Sequence, residues 1–448
     1  LPTQIYGAYQ SDTIDTVTLS GTAGTGGGYV TFNNATLSGQ TETTSALPAG
    51  LTLNEAESTD NQATITGDLT ASSGQHAINL VARATSDGTN ANIDPNRKQA
   101  YSHTITKASG GAPVLFSARR YMGTGAVRDI NEFGLAPDLV WFKIRSQAYH
   151  HALFDSVRGT AKFLESDRDV AENTSNTDTL TAYNADGFES GADGTWYLNK
   201  VDEKYIAWGW KAGGAPVSIT SGLTGASSVT QSASSTTGFS ITKYTGASSG
   251  SIEFPHNLGG TPEWILIKKL DGTGSWLTYH KDLGTGYNIF LDTNSARTGS
   301  TPNGYFGTQT STNIVLTAGG SGNSLFGGGD YICYAWKAVS GVSAFGTYEG
   351  TGGAWTSGNN GGAQDIGFKP RFTMVKNIDA DGSWEIHDSF RDESDTKTTG
   401  VWADGDWAEI DNSIYTIVYD TNGFKFTLAS TSANQNQSGK TYIYCAFA

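Results

Sequence analysis

Basic residues are scarce in this chain. It carries 28 Lys and Arg against 43 Asp and Glu, a formal net charge of −15 at pH 7. Phosphate contacts need clustered Lys and Arg, so nucleic acid is not expected as a partner. Cysteine is limited to Cys333 and Cys445, which occupy the same repeated strand in two copies, one position apart. They read as small core residues with free thiols, the alternative being a disulfide. No apolar run approaches the roughly 20 residues of a spanning helix, so no membrane span is expected. The chain opens on Leu1 rather than methionine, with no signal-like segment after it, and stops at Ala448 in or just after a core strand. That points to a processed or partial product, with more protein following or a partner covering the end.

What is abundant is turn chemistry and aromatic mass. There are 57 Gly, with 11 Trp, 20 Tyr and 19 Phe. Gly, Asn and Asp clusters between short β-type runs indicate an all-β class. At 448 residues the chain has room for about three or four domains.

One pattern occurs three times. Gly134-x-x-Pro137, Gly259-x-x-Pro262 and Gly367-x-x-Pro370 each lead through an apolar run to a lysine, Lys143, Lys268 or Lys376. Gly supplies the unusual backbone angle and Pro sets φ at a strand's first residue. Runs such as Leu139-Val140-Trp141-Phe142 are apolar on both faces, as a strand in the middle of a packed sheet must be. The closing lysine is expected where the strand end reaches solvent, its stem lying on the core. Two more landmarks keep register: Tyr121-x-Gly123, Tyr244-x-Gly246 and Tyr348-x-Gly350 before the run, and blocks opening Tyr205-Ile206, Tyr331-Ile332 and Tyr442-Ile443 after it. Three landmarks in one order, three times, define a repeated domain of roughly a hundred residues.

Residues 1–108 lie outside this repeat. Leu47-Pro48-Ala49-Gly50-Leu51-Thr52-Leu53, then Ile65-Thr66-Gly67, then a strand from Gly74 resemble the immunoglobulin-like β-sandwich modules of bacterial surface and phage proteins. His76 stands where an aromatic is more usual. The resemblance covers about residues 40–106 and implies a spacer or display module. Repeats then occupy 115–214, 238–340 and 341–448. Residues 213–237 are rich in Gly, Ser, Thr and Ala and fit either a flexible linker or edge strands around Val217, Ile219 and Val229.

Residues 115–448 resemble a repeat domain of predicted tail-fibre and other virion structural proteins of marine phages, cyanophages among them. The resemblance is carried by residues 239–246, 262–268, 331–337, 345–350 and 441–448, with 155–159 and 208–214 in the first copy. It implies a place on a virion rather than a catalytic activity. The reading is an elongated all-β chain: an immunoglobulin-like sandwich followed by three tandem jelly-roll-like β-sandwich repeats. The function expected is that of a tail fibre, or a capsid-surface fibre or decoration, displaying β modules for host attachment at the virion surface. Its partners would be other virion proteins, copies of itself as a homotrimer, and host-surface glycan. The alternatives are a filament subunit or adhesin on a bacterial cell surface, and a tail enzyme that degrades polysaccharide.

Motifs with chemical meaning are few. Gly246-Ala247-Ser248-Ser249-Gly250 matches the nucleophile-elbow pattern, which needs a strand-to-helix turn; here it reads as chance in a Gly/Ser-rich turn. Asp379-x-Asp381-Gly382 hints at a Ca²⁺ loop, but Trp384 and Phe390 stand where an EF-hand needs Gly and a carboxylate. A hairpin turn is the simpler reading, and an irregular Ca²⁺ site the alternative; no other cofactor is expected. His150, His151, His280 and His387 form no helical metal-binding spacing, and His280 and His387 read as one repeated structural position. The carboxylates at 392–395 read as a solvated acidic loop. No catalytic residue is assigned. Trp196, Trp355, Trp402 and Trp407 sit in polar or Gly-rich surroundings, where an indole face either stacks on sugar rings or caps a core edge.

Overall fold

The turns come out as their composition demands. Gly134, Gly259 and Gly367 hold φ values of 70°, 69° and 83°, a left-handed conformation that only glycine adopts without strain. Each turn feeds a strand: Leu139–Ile144, Trp264–Lys269 and Phe372–Asn377. The computed structural model describes residues 114–448 except 194, 300–304, 318–327, 355–362, 412–415 and 427–433, and for residues 1–113 the backbone of the strands only. Residues 1–113 and 114–448 form two separate compact units.

The first unit holds two four-stranded antiparallel sheets. One runs Gln4–Tyr6, Thr13–Ser20, Gln62–Asp68, Leu51–Glu55, and the other Thr41–Thr44, Val30–Ser38, Gly74–Thr85, Ile93–Lys107. Ile65 pairs with Leu53 across the first sheet. The side chains of the Leu-Pro-x-Gly-Leu segment and His76 lie outside the described residues.

In the second unit each repeat builds the same antiparallel sheet. The Pro-to-Lys strand lies between a returning strand (Ala152–Asp155, Leu277–His280, Glu385–Asp388) and a closing strand (Lys204–Trp210, Gly329–Trp336, Thr441–Phe447). An opening strand (Phe116–Met122, Phe239–Gly246, Ser343–Glu349) pairs on the far side of the closing strand. Equivalent pairs across the middle are Trp141 with Trp208, Leu266 with Tyr334, and Met374 with Cys445. Of residues 213–237, left open between linker and strands, Val217–Ile219 and Ala226–Ser234 are strands that extend the second repeat's sheet, and Val229 is buried. Among the described residues no helix is long and apolar enough to cross a membrane.

Strand alternation gives every sheet two apolar faces. One face is covered within its own repeat by a smaller sheet. In the first repeat Val140, Phe142 and Phe154 meet Ile130, Leu180 and Phe188; the second and third repeats have matching clusters of their own. The other faces do not belong to single repeats. Trp141, Trp208 and Trp210, Trp264, Tyr334 and Trp336, and Phe372, Met374 and Phe447 form one continuous core. The rings of Phe116, Trp210, Phe372 and Phe447 touch one another across repeats one and three, and Trp210 meets Trp336 of repeat two at 6.3 Å. The expectation that the three tandem repeats run on as an elongated row is therefore corrected for residues 114–448, whose main sheets share one core. Sheets that are apolar on both faces need a second cover, and here each repeat supplies it to the others.

The cysteines illustrate the same alternation. Both are buried and free. Cys333 faces the second repeat's own cluster, whereas Cys445, one slot further along its strand, faces the common core.

Candidate functional site

The three lysines that close the Pro strands do not reach solvent. Lys143, Lys268 and Lys376 are all 0% exposed, which overturns the expectation of a strand end at the surface. Each ammonium instead enters the neighbouring repeat. Lys143 donates to the carbonyls of Tyr149 (2.7 Å) and of Asp406 in repeat three (3.2 Å). Lys268 donates to Asp169 (3.2 Å) and Val170 (2.6 Å) of repeat one. Lys376 donates to Asn294 of repeat two (3.1 Å). A buried cation needs such partners, because its desolvation is otherwise uncompensated. Burial also pushes all three lysines down to about 8.

The receiving segment is one loop used three times. Residues 165–172 grip repeat two, 290–297 grip repeat three, and 402–409 grip repeat one. In register, the backbone N–H groups of Gly274, Gly382 and Tyr149 donate to Asp169, Asn294 and Asp406, and those of Glu172, Arg297 and Glu409 donate to Leu270, Ile378 and Arg145. Trp276 and Trp384 donate their indole N–H to the carbonyls of Glu165 and Phe290. At the third junction His151 takes this role. Its Nδ1 accepts the indole N–H of Trp141 (2.8 Å), leaving Nε2–H to donate to Trp402 (2.9 Å). Burial drives His151 down to about 3, so the ring is neutral, as this pattern requires. One gripping two, two gripping three and three gripping one close a ring, the arrangement that head-to-tail interfaces produce when their rotation closes.

Buried ion pairs reinforce two junctions. Asp155 pairs with Arg158 and accepts the hydroxyl of Tyr334 from repeat two (2.7 Å). Asp388 pairs with Arg391 and accepts the indole N–H of Trp208 from repeat one (3.1 Å). The recurring Asp-x-x-Arg spacing was a visible signal for both. In repeat two these positions are His280 and Leu283, and His280 donates to the carbonyl of Tyr444 in repeat three (3.1 Å). His280 and His387 are therefore not one structural position. His280 pairs opposite Trp264, whereas His387 pairs opposite Thr373, one slot along, and lies fully buried with Glu385 and Gln435.

The ring's regularity makes its departures informative. Gly274 and Gly382 correspond to Tyr149; Val170 and Ser295 correspond to Trp407; Arg168 and Thr293 correspond to Gly405. At these three positions, aromatic side chains occur only at the junction of repeats one and three. Residues 406–409 run beside 145–149, bonded through Asp406 to Tyr149 and through Glu409 to Arg145, and Trp407 lies between those bonds. Arg145 binds Glu409 with two hydrogen bonds (2.7 and 2.9 Å). Burial alone would raise the Glu409 carboxyl, but Arg145 and Arg391 bring it below its ordinary value.

The tryptophans singled out from the sequence gather here in part. Trp407 is 49% exposed, while Trp402 is buried beneath it, the rings 5.8 Å apart at 84°. Trp196 is half-buried, 6.2 Å from Tyr149, with the Lys200 ammonium 5.1 Å from its ring centroid. Its φ of 104° is a conformation that bulky residues avoid. The Tyr205 hydroxyl secures that turn, donating to the Trp196 carbonyl and accepting the Lys200 N–H. Trp355 lies outside the described residues.

The remaining motifs have structural employment. Gly246 to Gly250 joins two strands, Phe239–Gly246 and Ile252–Pro255, rather than a strand and a helix. Asp379 binds Arg297 and the Thr441 N–H, and Asp381 accepts the Ala296 N–H, so both hold repeat two's loop against repeat three. Of the carboxylates at 392–395, Asp392 and Glu393 border an open cleft of about 610 Å³ that also includes Arg120 of repeat one and Arg391. Arg120 and Glu393 form an ion pair there. His150 pairs with Asp167 at 2.6 Å.

Sequence reasoning missed Tyr149, Gly405 and the lysine contacts. The lysines were visible as a repeat, but their acceptors are backbone carbonyls, which carry no side-chain signature.

No curated protein and no solved structure matches the chain. Residues 113–448 match the family model described as a domain of unknown function, DUF7483, and over that stretch, about three quarters of its length, the chain belongs to the DUF7483 family.

Proposed function

We propose that this chain is a structural protein of a phage virion, a tail fibre or a capsid-surface fibre or decoration, which presents its β modules for attachment to a host surface. In this reading residues 1–108 are an immunoglobulin-like spacer and the three repeats are jelly-roll-like modules. The observation that carries it is the closed ring, in which three repeats share one core and are fastened by Lys143, Lys268 and Lys376. A ring held by buried cations on backbone carbonyls suits a rigid, load-resisting display element, and it leaves the aromatic junction of repeats one and three outward. The resemblance of residues 115–448 to virion repeat domains supports the same reading.

The homotrimer expected of such a fibre remains part of the proposal. The apolar faces that three repeats could share are already filled within each chain, so contacts between chains must use other surfaces. Light scattering of the purified full chain tests this: three chain masses support the trimer and one chain mass overturns it.

The virion assignment is tested by mass spectrometry of purified particles from the phage whose genome encodes the chain, followed by electron cryomicroscopy. Its presence at stoichiometric level in a surface projection is the expected result. Absence from the particle, with the chain found instead in a filament on bacterial cells, overturns it. Shortened host polysaccharide after incubation with the protein would move the assignment to a tail enzyme.

A further inference from the structure

The junction of repeats one and three carries aromatic side chains that the ring does not need. The other two junctions make the same backbone contacts, Gly274 to Asp169 and Gly382 to Asn294, with Val170 and Ser295 standing where Trp407 does. Nothing about gripping a neighbour therefore demands Tyr149 or Trp407. Trp407 nevertheless stands 49% exposed, and an indole in water forgoes burial that it would normally gain.

Its setting is specific. The benzo ring of Trp407 lies on Gly405, where a Cβ would collide with Cε3 and Cζ3 of the indole. Gly405 is thus the residue that lets the ring lie down against the backbone. Trp402 supports the ring edge-on from inside. Asp406 and Trp407 are both exposed, and the Asp406 carboxylate, whose charge acts on the buried Lys143 ammonium, faces solvent beside the indole. Tyr149, whose N–H donates to the Asp406 carbonyl, packs its own ring on Trp196 and Tyr197 within repeat one, and Trp196 is held in its strained turn by Tyr205.

We propose that this junction is a carbohydrate-binding platform, with the C–H face of a neutral pyranose stacked on Trp407 and sugar hydroxyls donating to the Asp406 carboxylate. The negative face of an indole attracts the slightly positive C–H groups of a sugar, and a fixed carboxylate sets the orientation. A protein partner would favour a wider apolar surface that shuts out water around its anchor. Trp407 is instead flanked by Asp406 and by the Arg145–Glu409 pair. The net charge of −15 and the exposed Asp406 disfavour acidic sugars and favour neutral hexoses. This inference rests on the attachment reading and names the receptor class for it.

The test is a glycan array together with tryptophan-fluorescence titration of the full chain by neutral and uronate-containing oligosaccharides. The expected result is binding of neutral glycans that Trp407→Ala weakens by at least about tenfold, while Trp407→Phe retains part of it and Asp406→Asn weakens it severalfold. The thermal midpoint should shift little in Trp407→Phe and Asp406→Asn, since both side chains are exposed, while Trp407→Ala also loses the ring's packing on Trp402. Wild-type affinity in Trp407→Ala, binding confined to acidic glycans, or no glycan bound by the wild type at millimolar concentration would each overturn the proposal. The two readings fail separately. A chain present in virions but blind to glycans loses only the platform; a chain that binds glycan but is absent from virions loses only the virion assignment.

Discussion

Lys268 of the second repeat donates to the carbonyl of Val170 in the first at 2.6 Å, across a junction where its ammonium is wholly out of solvent. Its second bond to that loop, to the carbonyl of Asp169 (3.2 Å), recurs between Lys143 and Asp406 and between Lys376 and Asn294. A salt bridge would answer charge with charge; here three cations are answered by carbonyl dipoles. This keeps each acceptor tied to the backbone path of a neighbouring loop, so the lysines report on whether the ring is closed.

Replacing Lys268 with Met should lower stability by about 2–4 kcal/mol, because the carbonyls of Asp169, Val170 and Lys269 lose a buried donor. Denaturant unfolding measures it. The pH dependence gives a second check. Burial holds all three lysines at about 8, below their ordinary 10.5. Between those values the unfolded chain binds more protons, so stability rises as pH climbs from about 8 and is lost as pH falls back through 8. Above about pH 10 the buried tyrosines oppose this. Burial raises Tyr244, Tyr334, Tyr348 and Tyr419 well above their ordinary value, so the unfolded state ionises first and stability falls. A maximum between pH 9 and 10 is expected on these values, with a shallower rise in Lys268→Met.

The Asp388–Arg391 pair should behave as a unit. Arg391→Leu alone leaves the buried Asp388 carboxylate without its cation and should cost about 3–5 kcal/mol; Asp388→His alone should cost less, because Arg391 keeps its pair with Glu409. The double substitution copies His280 and Leu283 of repeat two, where a buried imidazole and an apolar side chain fill the same places. It should recover most of the loss, and a double-mutant cycle measures the coupling. Additive losses would show that the pair is not the origin of the effect.

His151 and His280 should make the ring acid-sensitive before the carboxylates titrate. Burial lowers both from 6.5 to about 3. The unfolded chain therefore takes up protons first, and the stability these rings contribute above pH 6.5 is lost progressively as pH falls toward 3. His151→Gln retains an acceptor for Trp141 and a donor for Trp402 without a titrating group. Its thermal midpoint should fall less between pH 6.5 and 5 than that of the wild type; an identical slope would remove His151 from the account.

Cys333 and Cys445 should be inert in the native protein. Burial pushes both thiols up and both side chains are enclosed, and it is the exposed thiolate that reacts. Titration with a thiol-specific chromophore should find neither in native conditions and both in denaturant. Because Cys445 belongs to the common core and Cys333 to the outer cluster of repeat two, simultaneous exposure of the two would indicate that the ring opens as one cooperative unit.

Much of this was legible in the residues. Gly134, Gly259 and Gly367 declared the turns, since glycine enters that φ region at the least cost. The apolar runs declared buried central strands, and the Tyr-Ile blocks their partners. Of the candidate site, Trp196, Trp402 and Trp407 were visible as aromatics in polar surroundings, but not that Trp196 and Trp407 belong to one junction. Tyr149 went unnoticed because it became unusual only when set beside Gly274 and Gly382. The repeat, the strand identities and the all-β class follow from the order of residues alone, because turn chemistry and side-chain alternation act between near neighbours. Folding adds that the three sheets share one core, that the lysines are buried, and that repeat three reaches back to repeat one. Those contacts join residues such as Lys143 and Asp406, far apart in the chain and bonded through a backbone carbonyl that every residue possesses. They exist only because the ring closes.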